Sequence, residues 1–159
     1  MKRLVFALLL LGGCLISGAV CQDRSAARRP EASSTLRSTL QALKNHGASR
    51  ATLSRQLTEA ILILAETGHQ PSRSAVTSFA DELTTALLGR DLTNSQVTTL
   101  AQSMEEVLRS SGTTTFIPAC QLRETLAALG VDASKVQIIT RHFIAIGEEI
   151  RGPDDMPTR

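Results

Sequence analysis

Residues 76–89 read VTSFADELTTALLG, and residues 97–108 read VTTLAQSMEEVL. In the first stretch Val76, Phe79, Ala80, Leu83, Ala86 and Leu87 stand at relative positions 0, 3, 4, 7, 10 and 11. In the second, Val97, Leu100, Ala101, Met104, Val107 and Leu108 repeat those positions 21 residues later. Side chains three and four residues apart share one face of an α-helix, so each stretch carries a single apolar stripe. A strand would need alternation, and neither stretch alternates. Two such helices in succession predict an all-α fold.

The pattern extends in both directions. Upstream, Leu36, Leu40 and Leu43 mark a helix over 34–45. Leu53, Leu57, Ala60, Ile61 and Leu64 mark another over 49–67, stopped by Gly68 and Pro71. Residues 61–64 are apolar all round, which suits the centre of a core. Downstream, Pro118 favours the first turn of a fifth helix faced by Leu122, Leu126 and Leu129. Asp132 is placed to cap a sixth, with Val136, Ile139, Thr140, Phe143 and Ile146 on its stripe. Thr93 and Gln96 have capping-box spacing for the fourth. Glycines 89, 112 and 130 close the third, fourth and fifth helices.

The fold expected is a compact bundle of five or six amphipathic helices. The stretch 82–89 is echoed at 124–130, and an Asp follows each closing glycine by two residues, at Asp91 and Asp132. That echo suggests two successive αα-hairpins, though two copies do not establish a repeat array. Thr84, Thr85, Thr98, Thr99 and Ser103 are expected on outer faces. As weak helix formers they leave stability to the packing of the stripes.

The start of the chain has a different character. Lys2 and Arg3 precede an apolar run from Leu4 to Leu11, and small and apolar residues continue to Val20. A positive start, an apolar centre and small residues before a polar chain make a secretory signal. The run contains Gly12, Gly13, Ser17 and Gly18, which suits removal better than a retained span of about 20 apolar residues. Ser17 and Ala19 direct a cut after Ala19, or Ala19 directs one after Cys21. An alternative stands beside these. Leu11-Gly12-Gly13-Cys14 resembles a bacterial lipobox, and that resemblance implies acylation of Cys14 and a membrane tether. Leu15, Ile16 and Val20 are more apolar than a usual tether. The expected organisation is a signal over 1–21, a flexible basic linker over 22–34, a helical domain over 35–151 and a disordered tail over 152–159. The chain is therefore expected to be secreted or periplasmic, or else a membrane-tethered lipoprotein.

Charge narrows the partners. The chain has 17 Lys and Arg against 15 Asp and Glu. Removing Lys2 and Arg3 leaves a near-neutral body with no nucleic-acid footprint. Residues 23–55 hold seven basic side chains against Asp23 and Glu31, and residues 56–159 hold eight against 13 acidic ones. The basic segment 24–55 is thus the other feature, besides a lipid anchor, that would meet a membrane surface. With no Trp, no Tyr and four Phe, one of them Phe6, the mature chain lacks platforms for stacking bases or sugars.

No reactive constellation emerges. His46, His69 and His142 are not paired at i and i+4, and none joins a cysteine at metal-ligand spacing. His46 and His69 fall at helix ends, where a cation meets the negative end of the dipole. Asp91 and Asp132 lack the alternating pattern and closing Glu of a calcium loop. There is no phosphate-binding glycine loop, nucleophile elbow or dinucleotide fingerprint. Cys120 and His142 are the weak candidates. Cys120 would sit in the first turn of its helix, where the dipole favours a thiolate, and His142 lies inside the sixth helix near Glu148 and Glu149. Cys21 and Cys120 are a candidate pair outside the cytosol. No catalytic, cofactor-binding or metal-binding set is expected. The reading that remains is an exported, non-enzymatic helical protein that binds a macromolecule, such as a protein, or serves a structural role in the envelope. The alternative is a carrier of a small apolar ligand held between helices.

Overall fold

The computed structural model describes residues 20–44, 47–65, 69–109 and 115–152, with side chains from residue 28 onward. It contains six helices and, among the described residues, no strand: α1 (Val20–Ala42), α2 (Arg50–Leu64), α3 (Arg73–Leu87), α4 (Asn94–Arg109), α5 (Phe116–Ala128) and α6 (Ala133–Arg151).

The two stripes that decide the fold are buried as written. All six apolar residues of α3 and all six of α4 lie in one hydrophobic core, shared with Leu36, Leu40 and Leu43 of α1 and Leu57, Ile61 and Leu64 of α2. Phe79 of α3 stacks on Phe143 of α6 with ring centroids 5.6 Å apart. The offset geometry adds to the apolar area the two rings bury. The helix starts follow the predicted chemistry. Gln96 N–H donates to Thr93 Oγ1 at 3.2 Å, while Thr93 N–H donates to Gln96 Oε1 at 2.9 Å, completing a reciprocal capping box. Ser49 and Ser72 accept the amides of Thr52 and Ala75 at the starts of α2 and α3. Asp132 accepts Ser134 N–H at 2.9 Å. The Ser134 hydroxyl and then its amide hold the Asp132 carboxyl below its ordinary value.

The helices close into a ring. Each packs on its neighbours in the order α1, α2, α3, α6, α5, α4 and back to α1, with α4 also reaching α2 and α6 across the middle. This order corrects the double-hairpin expectation for one of its pairs. α5 and α6 do pack as a hairpin, but α3 packs on α2 and α6, and α4 on α5 and α1. The echo between 82–89 and 124–130 therefore reports shared helix-end chemistry. Gly89 and Gly130 both take positive φ, 76° and 69°, where a Cβ is strained.

Two ends of the bundle are distinguishable. At one, the C-terminal ends of α1, α3 and α5 meet: Gly89 N–H donates to Leu43 O at 2.7 Å. At the other, α6 ends beside the starts of α3 and α5. His69 N–H donates to Ile150 O at 3.3 Å, and Ser72 N–H donates to Glu149 Oε2 at 2.5 Å.

Three further expectations give way. The flexible linker over 22–34 is helical, because α1 begins at Val20. Ala26, Ala27, Arg28, Arg29, Glu31 and Ala32 are strong helix formers. Pro30 is accommodated inside the helix although it cannot donate a backbone bond, and Ala32 is buried in the core. Thr84 and Ser103 are fully buried instead of outward-facing. Each sits three or four residues from core leucines and valines, so each widens its stripe. The second helix ends at Leu64, capped by Ala65. The signal up to residue 19, Cys14, Gly68, Gly112 and the tail from 153 lie outside the described residues.

Candidate functional site

A groove of about 770 Å3 lies between α5 and α6, open along one side. Val131, Val136 and Ile144 form its apolar floor and Ala127 one wall, while Arg123 of α5 and Arg141 of α6 stand on its rim with Glu124. Val131 and Val136 are buried, whereas Ala127 and both arginines are exposed. Neither arginine makes an ion pair with a described residue. The rim is thus net positive over an apolar bed. A residue such as Ala127 keeps the wall low, since a longer side chain there would fill the space.

The groove is held at its end by a residue that sequence reasoning missed. Arg90, in the loop after α3, donates through Nε to Ala86 O at 2.6 Å and through Nη1 to Leu129 O at 2.7 Å. Both acceptors are terminal helix carbonyls without an intrahelical partner, and a guanidinium is favoured at the negative end of a helix dipole. Arg90 therefore fixes the α5–α6 turn to the end of α3. An arginine directly after a helix-closing glycine was the available signal.

A second groove, of about 360 Å3, runs between α1 and α2. Arg28, Glu31, Arg55 and Glu59 alternate in sign around Ala32 and Ile63. Three basic side chains of the segment 24–55 turn to partners on other helices. Arg37 turns to Glu105 at 3.4 Å, Lys44 donates to Asn94 and Arg50 to Thr85.

The weak catalytic candidates are not brought into any cluster. Among the described residues no three His, Cys, Asp or Glu side chains are grouped so as to hold a metal ion. Cys120 is a free, half-buried cysteine and the fifth residue of α5, since the helix starts at Phe116. That places it one turn beyond the position where the dipole acts most strongly on a thiol. His142 is half-buried on α6 and makes no hydrogen bond to a described residue. His69 lies by a helix end, as its position suggests, but that end belongs to α6: its imidazole lies against Gly152. His46 and the Cys21 side chain fall outside the described residues.

No described helix is long and apolar enough to cross a membrane. No known family model, curated protein or solved structure matches the chain.

Proposed function

We propose that the chain is an exported helical binding protein whose α5–α6 groove receives an amphipathic helix of a partner protein, with an acidic flank. The observation that supports this is the groove itself: an apolar floor between two arginines that pair with no described residue. A helix laid in a groove is read through residues at i, i+3, i+4 and i+7. The stretch Val136 to Ile144 is long enough for such contacts, at roughly 12 Å by the helical rise. Arg123 and Arg141 would steer a negatively charged face into register. The carrier reading calls for an enclosed apolar cavity, and the groove is open, so a macromolecular occupant suits it better. Export is supported by Lys2, Arg3 and the apolar run after them.

Two measurements test the proposal. The intact mass of the chain from its native host tests export. A start at Val20 or Gln22 means release, a start at Cys14 with acyl chains means a tether, and an uncut chain in the cytosol contradicts export. A photo-crosslinker at Ala127 tests the groove. Its adducts should differ from those of a crosslinker at Thr77 on α3, and should weaken when Arg123→Glu and Arg141→Glu are combined. Identical adducts from both positions would remove the groove from the proposal.

A further inference from the structure

We infer that the partner helix received by the α5–α6 groove carries two carboxylates two residues apart, one on each flank of a single turn. The inference rests on the helix-binding reading of the groove and sharpens its acidic flank into a register. It is carried by the level at which Arg123 and Arg141 stand.

α5 and α6 pack as an antiparallel pair on either side of a short turn. Gly147 of α6 packs on Thr115, the residue before α5 begins, and this contact sets a common level near one end of the pair. Arg123 stands eight residues beyond Thr115, and Arg141 stands six before Gly147. At 1.5 Å per residue they lie roughly 12 Å and 9 Å from that level. Two arginines on different helices thus line one groove with an axial offset of roughly 3 Å. Both are exposed, and neither forms an ion pair with a described residue.

Successive residues of an α-helix turn by about 100° and rise about 1.5 Å, so two positions apart means about 200° and 3 Å. A pair of carboxylates at i and i+2 therefore points to opposite flanks with the offset of the two arginines. Acids at i and i+3, or at i and i+4, share one face and meet one arginine only. Between the arginines the floor is apolar, through Val136 and Ile144, so the occupant's residues facing it are apolar as well. A free inorganic anion would leave that floor uncovered. Glu124 stands on the α5 side beside Arg123 and opposes an acid there, which makes Arg141 the stronger of the two contacts.

The probe is a designed peptide of about 15 residues, the length at which an isolated helix begins to hold. It carries leucines at i, i+3, i+4 and i+7 and two glutamates two positions apart in its central turn. An isomer of the same composition has its glutamates four positions apart, on one flank. Binding of each labelled peptide to the purified chain is read by fluorescence anisotropy at low salt. The two-residue spacing should bind several-fold more tightly, up to about fivefold, because it gains one more exposed charge pair than its isomer. The advantage should shrink at high salt, disappear in Arg141→Gln and grow in Glu124→Gln. Equal affinities that fall together in Ala127→Phe, which fills the groove, overturn the register and leave the helix-binding reading standing. Affinities unchanged by Ala127→Phe, or no binding by either peptide, overturn both.

Discussion

Gly147→Ala should destabilise the bundle, against the ordinary trend for a glycine inside a helix. Gly147 is buried on α6. A Cβ there would stand 2.1 Å from Thr115 Cγ2, 3.3 Å from Thr115 Cβ and 3.1 Å from Val107 Cγ1. Carbon atoms prefer about 3.5–4.0 Å. Alanine gains about 1 kcal/mol of helix propensity over glycine. Overpacking a closed site costs about 1–3 kcal/mol, and here two helices and a loop must yield together. With the cost in the upper part of that range, about 2–3 kcal/mol, the net expectation is a loss of roughly 1–2 kcal/mol. At about 3 °C per kcal/mol for a domain of this size, the thermal midpoint should fall by roughly 3–6 °C. Helical ellipticity at rising temperature and in urea reads it. Thr115→Ala is the informative partner. Thr115 makes no side-chain capping bond to α5, so its truncation costs little alone and removes the methyl that clashes. The double variant should recover most of the loss, a coupling of about 1 kcal/mol. A Gly147→Ala chain as stable as the parent, or strictly additive single effects, would refute the packing argument.

Three other outcomes follow from single residues. Thr84 Oγ1 is the one buried side-chain polar atom among the described residues with no hydrogen-bond partner. Thr84→Val keeps the shape and removes an unsatisfied group, so stability should rise by about 1 kcal/mol; a fall in the urea midpoint would mean the hydroxyl is satisfied in solution. Arg90→Met should cost roughly 2 kcal/mol, because two terminal carbonyls lose a charged donor, and amide exchange should accelerate around Gly130 more than in α2. Uniform acceleration would contradict that local role. Asp132 has its carboxyl held below the ordinary value, chiefly by Ser134. A depressed folded pKa adds stability above the unfolded value, near 3.9, and loses it as pH falls through the folded one. Asp132→Asn keeps a capping oxygen and should flatten part of the decline in urea midpoint between pH 5 and pH 2 or so. Parallel declines in both chains would exclude the cap as their source.

Periodicity made α3, α4 and α6 legible, because their stripes are wide and their caps follow local rules. The capping box at Thr93 and Gln96 needs no tertiary information. The front of α1 was not legible for the opposite reason: residues 22–31 have no apolar period, Pro30 reads as a breaker, and only Ala32 marks the face that α2 covers. Residue type places Thr84 and Ser103 outward, whereas their position on the helix puts them inward. Ser103 repays that burial by hydrogen bonding to Thr99 O and to Gln121 of α5, a partner that spacing does not reveal. Gly147 did carry a signal, since glycine among helix formers marks a close approach. The groove carried none. Arg123, Ala127 and Arg141 become one surface only when α5 and α6 pack side by side.

The contact between α1 and α4 that closes the ring rests partly on a buried charge, and its energetics should be asymmetric. The Glu105 side chain is 9% exposed, while Arg37 and Arg109 are 45% and 56% exposed. Arg109 Nη2 stands 3.1 Å from Oε2 and Arg37 Nε 3.4 Å from Oε1. Removing the acid leaves two arginines that water can solvate without moving a helix. Removing both arginines leaves a carboxylate whose desolvation nothing offsets, and breaking a buried pair in that way costs about 3–5 kcal/mol. Glu105→Leu should therefore lie within about 1 kcal/mol of the parent, as apolar replacements of buried ion pairs often do. Combined Arg37→Ala and Arg109→Ala should cost several times more, with the loss shrinking once Glu105→Leu is added. Urea midpoints of the four chains measure this directly. If Glu105→Leu proved as damaging as the double arginine change, the three charges would be specifying how α1 seats on α4, and apolar packing alone would not close the ring.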